Sequence, residues 1–114
     1  MIKNILNILL LLLFLLFDTP AYPVDSSPKA IEKYTLKISN KFANTYCNST
    51  KFGISKEGAL RFSIGETNKE FSKGNLNKFI DYKLLNKNIL LSLNKNCQIL
   101  DFPVYELEKL SFRN

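Results

Sequence analysis

Hydrophobic and polar positions follow two different patterns along this chain. The first is unbroken apolarity: residues 5–17 are Ile, Leu or Phe at every position except Asn7. A membrane-spanning helix needs about 20 apolar residues, whereas the core of a signal peptide needs about 7 to 15. Lys3 precedes the run, and Asp18, Thr19, Pro20 and Ala21 follow it. Residues 1–21 therefore read as a signal peptide. Thr19 and Ala21 are small residues at the two positions a signal peptidase inspects, so cleavage is expected after Ala21, with an uncleaved amino-terminal anchor as the alternative. The first cysteine, Cys47, lies too far along to be lipidated.

The second pattern is helical spacing. Residues 22–27, with Pro23, Ser26 and Ser27, form a short flexible linker, and a single helical domain is expected over 28–114. Ser27 suits a helix N-cap and Pro28 the first helical position, where a missing N–H costs nothing. Ile31, Tyr34, Ile38, Phe42 and Thr45 or Tyr46 then recur on one face, predicting a helix over 28–46. Leu36, Ala43 and Cys47 form a thinner apolar line beside it, which needs cover from another helix; the helix carrying Cys97 is the candidate.

Asn48, Ser49 and Gly53 mark a turn and Ser55 a second N-cap, with Ile54 and Ala59 placed as a hydrophobic staple. Leu60, Ile64, Thr67 and Phe71 predict a helix over 56–71. Gly58 and Gly65 inside it each cost about 1 kcal/mol relative to alanine; they mark close helix contacts, or else the helix breaks at Gly65. Residues 76–82 predict a short helix turning Phe79 and Ile80 inward. Leucine and isoleucine surround so much of the wheel over 84–97 that this should be the central helix, although a buried strand over 89–93 fits the same short run. After Pro103, Val104, Leu107 and Leu110 or Ser111 suggest a short closing helix before Phe112. The expected class is all-α, a small bundle of three main helices and one or two short ones, with antiparallel neighbours.

Charge adds less than its size suggests. The chain carries 16 Lys and Arg against 10 Asp and Glu, a formal +6, and loss of residues 1–21 removes one of each sign. Lysine and asparagine fill 27 of 114 positions, a bias that an AT-rich coding sequence produces unaided. Lysines are spread along the whole chain, which argues against nucleic acid as a partner of an exported protein. One arrangement is regular: Lys29, Lys33, Lys37 and Lys41 recur every four residues opposite the apolar stripe of the first helix. They are candidates for contact with an anionic surface, against the plainer reading of a solvated face.

Cys47 and Cys97 are separated by 50 positions, and in an oxidising compartment they are expected to form a disulfide; two buried free thiols are the alternative. The chain contains no histidine, so the usual general base and the commonest metal ligand are missing. The cysteine spacing fits neither zinc nor a redox pair, and the glycines form no phosphate loop. Ser92 and Lys95 match S-x-x-K, but the companion motifs of penicillin-interacting enzymes are absent. Glu66 with Glu70, or Asp101 with Glu106, offer paired acids that solvated helix faces explain equally well. Asn48, Ser49 and Thr50 spell a glycosylation sequon, meaningful only in a eukaryotic secretory route. No catalytic residue, metal site or cofactor is expected, and an enzyme is not.

The residues Phe42-Ala43-Asn44, Cys47, Gly53-Ile54-Ser55-Lys56-Glu57-Gly58-Ala59, Arg61-Phe62-Ser63-Ile64-Gly65-Glu66 and Lys95-Asn96-Cys97 resemble small uncharacterised secreted proteins of marine picocyanobacteria. The resemblance covers residues 34–97 and rests on helix-cap and core residues. It implies no activity; it implies export to the periplasm, thylakoid lumen or exterior of a bacterial cell, where the sequon is irrelevant. The expectation is a noncatalytic exported binding or accessory protein, such as a small subunit of a membrane-associated or lumenal assembly. The alternative is a cationic effector that is secreted or works at a membrane surface. A protein partner and an anionic membrane remain the two candidate partners.

Overall fold

The computed structural model describes residues 2–17 and 25–112. Its elements are α1 (Ile2–Phe17), α2 (Pro28–Lys51), α3 (Lys56–Phe71), a 3-10 turn at Asn77–Phe79, α4 (Tyr82–Cys97) and a 3-10 helix at Val104–Lys109. The fold is all-α, with no strand among the described residues. The apolar run is helical in α1, and the side chains of residues 3–13 are exposed. No helix among the described residues is long and apolar enough to cross a membrane. The expected cleavage after Ala21 lies outside the described residues.

Both serine caps form. Ser27 Oγ accepts from the N–H of Ala30 at 3.2 Å and Ser55 Oγ from that of Gly58 at 3.1 Å. α2 runs five residues beyond its predicted end, through the residues read as a turn, because the Thr50 hydroxyl folds back onto the carbonyls of Tyr46 and Cys47. It stops at Gly53, whose φ of +93° lets Ile54 N–H reach Ser49 O at 3.0 Å and Gly53 N–H reach Thr50 O at 3.1 Å, a Schellman closure. α3 occupies the predicted residues and continues through Gly65, where an added Cβ would meet open space. Gly65 therefore marks no close contact.

The central helix is α2, not α4. α3 and α4 each pack along α2, while their contact with one another is slight. α3 returns antiparallel to α2, but α4 is parallel to it: Asn40 meets Ser92, Asn44 meets Asn96 and Cys47 bonds Cys97, at near-constant offsets. α4 turns only Leu85, Ile89 and Leu93 fully inward, leaving Leu84 and Leu91 in solvent.

The gap between α3 and α4 is filled by the last segment of the chain. Gln98 takes the left-handed conformation with φ of 56°, ending α4 and sending residues 99–112 back along the bundle. Phe102 sets its ring edge-on to Phe42 and Tyr46 at 5.8 and 5.3 Å, and Phe112 reaches Phe71 edge-on at 6.3 Å. Leu107 and Leu110 are buried between them. The closing helix is thus a 3-10 strap, with Val104 turned outward. Asn68 clamps it from α3, donating to Lys109 O at 3.0 Å and accepting from Ser111 N–H at 3.1 Å.

The α3–α4 connection is pinned by a buried side chain. Asn77 accepts from the Tyr34 hydroxyl at 2.6 Å and donates to Phe71 O at 2.7 Å. Gly74 passes so close beneath Tyr34 that an added Cβ would lie 1.9 Å from its hydroxyl oxygen. Ile80 is buried as expected, but Phe79 is turned out, beneath the Lys78 ammonium at 5.2 Å. The tight 3-10 turn cannot direct both neighbours inward.

The Cys47–Cys97 disulfide closes a loop of 50 positions, with the two Cα atoms 5.7 Å apart. In the chain-entropy account such a loop contributes about 4 kcal/mol. Replacing both cysteines by alanine should lower the melting temperature clearly, and an unchanged thermal melt would contradict this. Asn68→Ala should cost about 1–3 kcal/mol in a denaturant titration, because it strips both bonds from the strap, whereas a neutral result would show the clamp to be idle.

Candidate functional site

A cleft of about 340 Å³ lies between α3 and the strap, with Tyr46, Lys56, Glu57, Asp101, Tyr105 and Glu106 in its wall. Asp101 and Glu106, named as paired acids from the sequence, both line this cleft. Glu57 is nevertheless engaged by Arg61 and Glu106 by Lys109, and Asp101 is exposed. Among the described residues no cluster of acids or cysteines is arranged to hold a metal ion. Ser92, the serine of the S-x-x-K match, bonds Asn40 and so serves the α2–α4 contact. Glu66 and Glu70 lie on α3, and Glu70 pairs with Lys41 at 3.4 Å.

That pairing divides the lysine row. Lys29, Lys33 and Lys37 are exposed, while Lys41 is half-buried and turned to α3. Three of the four anticipated contact residues thus remain open to a partner, and the fourth ties two helices together.

Folding also gathers charge that sequence order scatters. α2 and α4 together carry eight lysines and a single acid, Glu32, whereas α3 carries three of each sign and residues 98–112 carry three acids and one lysine. The bundle is therefore cationic on the α2–α4 side and neutral to acidic on the other. Between the amino-terminal halves of α2 and α4 lies an apolar groove of about 430 Å³, lined by Pro28, Ile31, Glu32, Leu36, Leu84 and Asn88. Leu36 and Leu84 are 42% and 40% exposed at its edges, and Leu91, 58% exposed, extends the α4 edge by two turns. On the helix surface Leu36 follows Lys29 and Lys33 at spacings of seven and three, and Lys87 lies between Leu84 and Leu91.

Sequence reasoning found the α2 half of this surface and missed the α4 half. The signal was present: Leu84, Asn88 and Leu91 share one face by spacing, but the hydrophobicity around α4 concealed which leucines point outward. A second exposed group, Phe52, Leu100 and Tyr105, occupies the turns at the disulfide end.

Two tyrosines carry a pH dependence. Burial, and secondarily Tyr82, raises the Tyr34 hydroxyl above its ordinary value, and burial with a smaller contribution from Asp101 does the same for Tyr46. The folded state then holds these protons more tightly than the unfolded chain. Stability should be complete below about pH 10 and fall as pH rises beyond it, when the unfolded chain ionises first. Denaturant titrations across that range should show the decline, and Tyr46→Phe should flatten it; equal slopes would rule out the assignment. Comparison with known proteins finds no matching family model, no similar curated protein and no similar solved structure.

Proposed function

We propose that this chain is a noncatalytic exported binding or accessory protein that acts by presenting the α2–α4 face to a larger membrane-associated or lumenal assembly. The observation that carries this reading is the segregation of charge: α2 and α4 hold eight lysines and one acid, and among those lysines Lys29, Lys33, Lys37, Lys83, Lys87 and Lys95 are exposed alongside the leucines Leu36, Leu84 and Leu91. Several polar groups elsewhere are engaged within the fold, as in the Asn68 clamp, the Asn77 bridge and the ion pairs of Glu57 and Glu106. An exposed apolar groove rimmed by cations marks a binding surface, where apolar side chains scattered singly would not. The apolar amino-terminal run and the cysteine pair support export, with the periplasm, thylakoid lumen or cell exterior as the compartment.

A second reading has the protein act alone, as a cationic effector secreted or held at a membrane surface. The open side chains of Lys29, Lys33 and Lys37 favour it.

Size exclusion of a gentle extract of the protein's own cells separates the two. An accessory subunit should travel with a large particle, and Lys33→Glu combined with Lys87→Glu should release it to its own mass. Travel as a free particle before any substitution would defeat the accessory reading and leave the effector.

A further inference from the structure

The α2–α4 face combines three features that bear on what it meets. Its cations stand on two parallel helices, so they form a surface rather than a ridge: Lys29, Lys33 and Lys37 on α2, Lys83, Lys87 and Lys95 on α4, all exposed. Its apolar side chains are Leu36 and Leu84 at the rims of the groove and Leu91 two turns further along α4, all three set among those lysines. Its groove opens at the amino-terminal end of α2, the end from which the chain leads back to the apolar α1.

A protein partner would desolvate the centre of such a face, and lysine is depleted in the centres of protein interfaces for that reason. A lipid surface imposes no such cost. Lysine stems can lie along the hydrocarbon boundary while their ammonium groups stay among headgroups, and leucines dip between them. Anionic headgroups are complementary in sign to every charged side chain of the face except Glu32, which sits in the groove. The opposite side, where Glu57 and Glu106 are paired with Arg61 and Lys109 and the remaining charges leave it neutral to acidic, offers the same headgroups no comparable attraction. An α1 that remains attached would reach the bilayer from the same end.

We propose that the α2–α4 face lies flat on an anionic lipid surface, with Leu36, Leu84 and Leu91 entering the headgroup boundary and the lysines of both helices meeting the headgroups. This rests on the reading of that face as the binding surface and names its partner. Orientation is the distinguishing consequence: α4 meets lipid along its length while α3 and the strap face water.

The chain has no tryptophan, so a single introduced indole reports its own surroundings. Leu91→Trp places it on the face, Phe62→Trp on α3 and Leu100→Trp at the disulfide end, all at exposed positions that accept a larger side chain. The full chain is mixed with phosphatidylglycerol vesicles carrying brominated acyl chains, and separately with the phosphatidylcholine equivalent. The Leu91→Trp emission should shift to the blue and be quenched with phosphatidylglycerol alone, while Phe62→Trp and Leu100→Trp remain bright even if α1 anchors every variant. Adding Lys33→Glu and Lys87→Glu should raise the lipid concentration needed by at least about tenfold. Matching thermal melts verify that each variant is folded.

Equal quenching at Phe62→Trp, or quenching confined to Leu100→Trp, would overturn the proposal, the latter by standing the bundle on its tip. An unquenched Leu91→Trp would overturn it as well, and size exclusion then shows how much falls. If the double lysine reversal still releases the protein from its assembly, the face binds protein and the lipid assignment alone fails. If the assembly also ignores the reversal, the reading of the face fails with it.

Discussion

The bundle depends on a gap. α3 and α4 both pack on α2 and hardly touch one another, so the core would stand open along one side without residues 99–112. Phe102 closes that opening toward the disulfide end and Phe112 toward the other, with Leu107 and Leu110 between. The 3-10 turns of the strap satisfy only part of its backbone, and the remaining polar groups need other partners. The side-chain amide of Asn68 supplies both a donor and an acceptor for it. The disulfide acts at the point where the strap departs, holding the last turn of α4 against α2 so that the left-handed turn at Gln98 starts from a fixed place. Helix packing, crosslink and strap thus form one dependency rather than three separate stabilising devices.

Most helices were legible because their signals are local. Ser27 and Ser55 cap the helices whose starts they mark, the spacing of Leu60, Ile64, Thr67 and Phe71 sets the bounds of α3, and the two cysteines pair across 50 positions. What was misread depends on partners distant in sequence. Asn48 and Ser49 look like turn formers, yet Ser49 is buried and the neighbouring Thr50 satisfies its hydroxyl within the helix. Ser39 and Ser63 lie fully inside despite their hydroxyls, which fold back onto the carbonyls of Thr35 and Ala59. α4 was placed at the centre because it is the most apolar, whereas the centre is occupied by the helix with two neighbours. Hydrophobicity reports how much a helix can bury, and connectivity decides how much it does.

The same limit applies to the candidate surface. Lysines distributed along the whole sequence argue against a patch concentrated on one element, and nothing in their order predicts that folding collects eight of them on two adjacent helices. The row on α2 was visible because a helix repeats in sequence. Its continuation on α4 was not, since the parallel register that sets Asn40 beside Ser92 and Asn44 beside Asn96 arises only once α3 and its connection have turned the chain back.

The parallel alignment of α2 and α4 has an electrical consequence. Peptide dipoles within a helix add, leaving about half a positive charge at its amino-terminal end. Two helices pointing the same way add again, and the reversed α3 cancels only one of them. The amino-terminal end of the bundle therefore carries a net field from the backbone alone, and Lys29, Lys33 and Lys83 lie within the first turns of the helices that generate it. This part of the field belongs to the peptide groups and survives any exchange of lysine for a neutral residue. It gives the molecule a sense of direction along its axis as well as across it, so that in an external field the bundle would tend to turn before it makes contact.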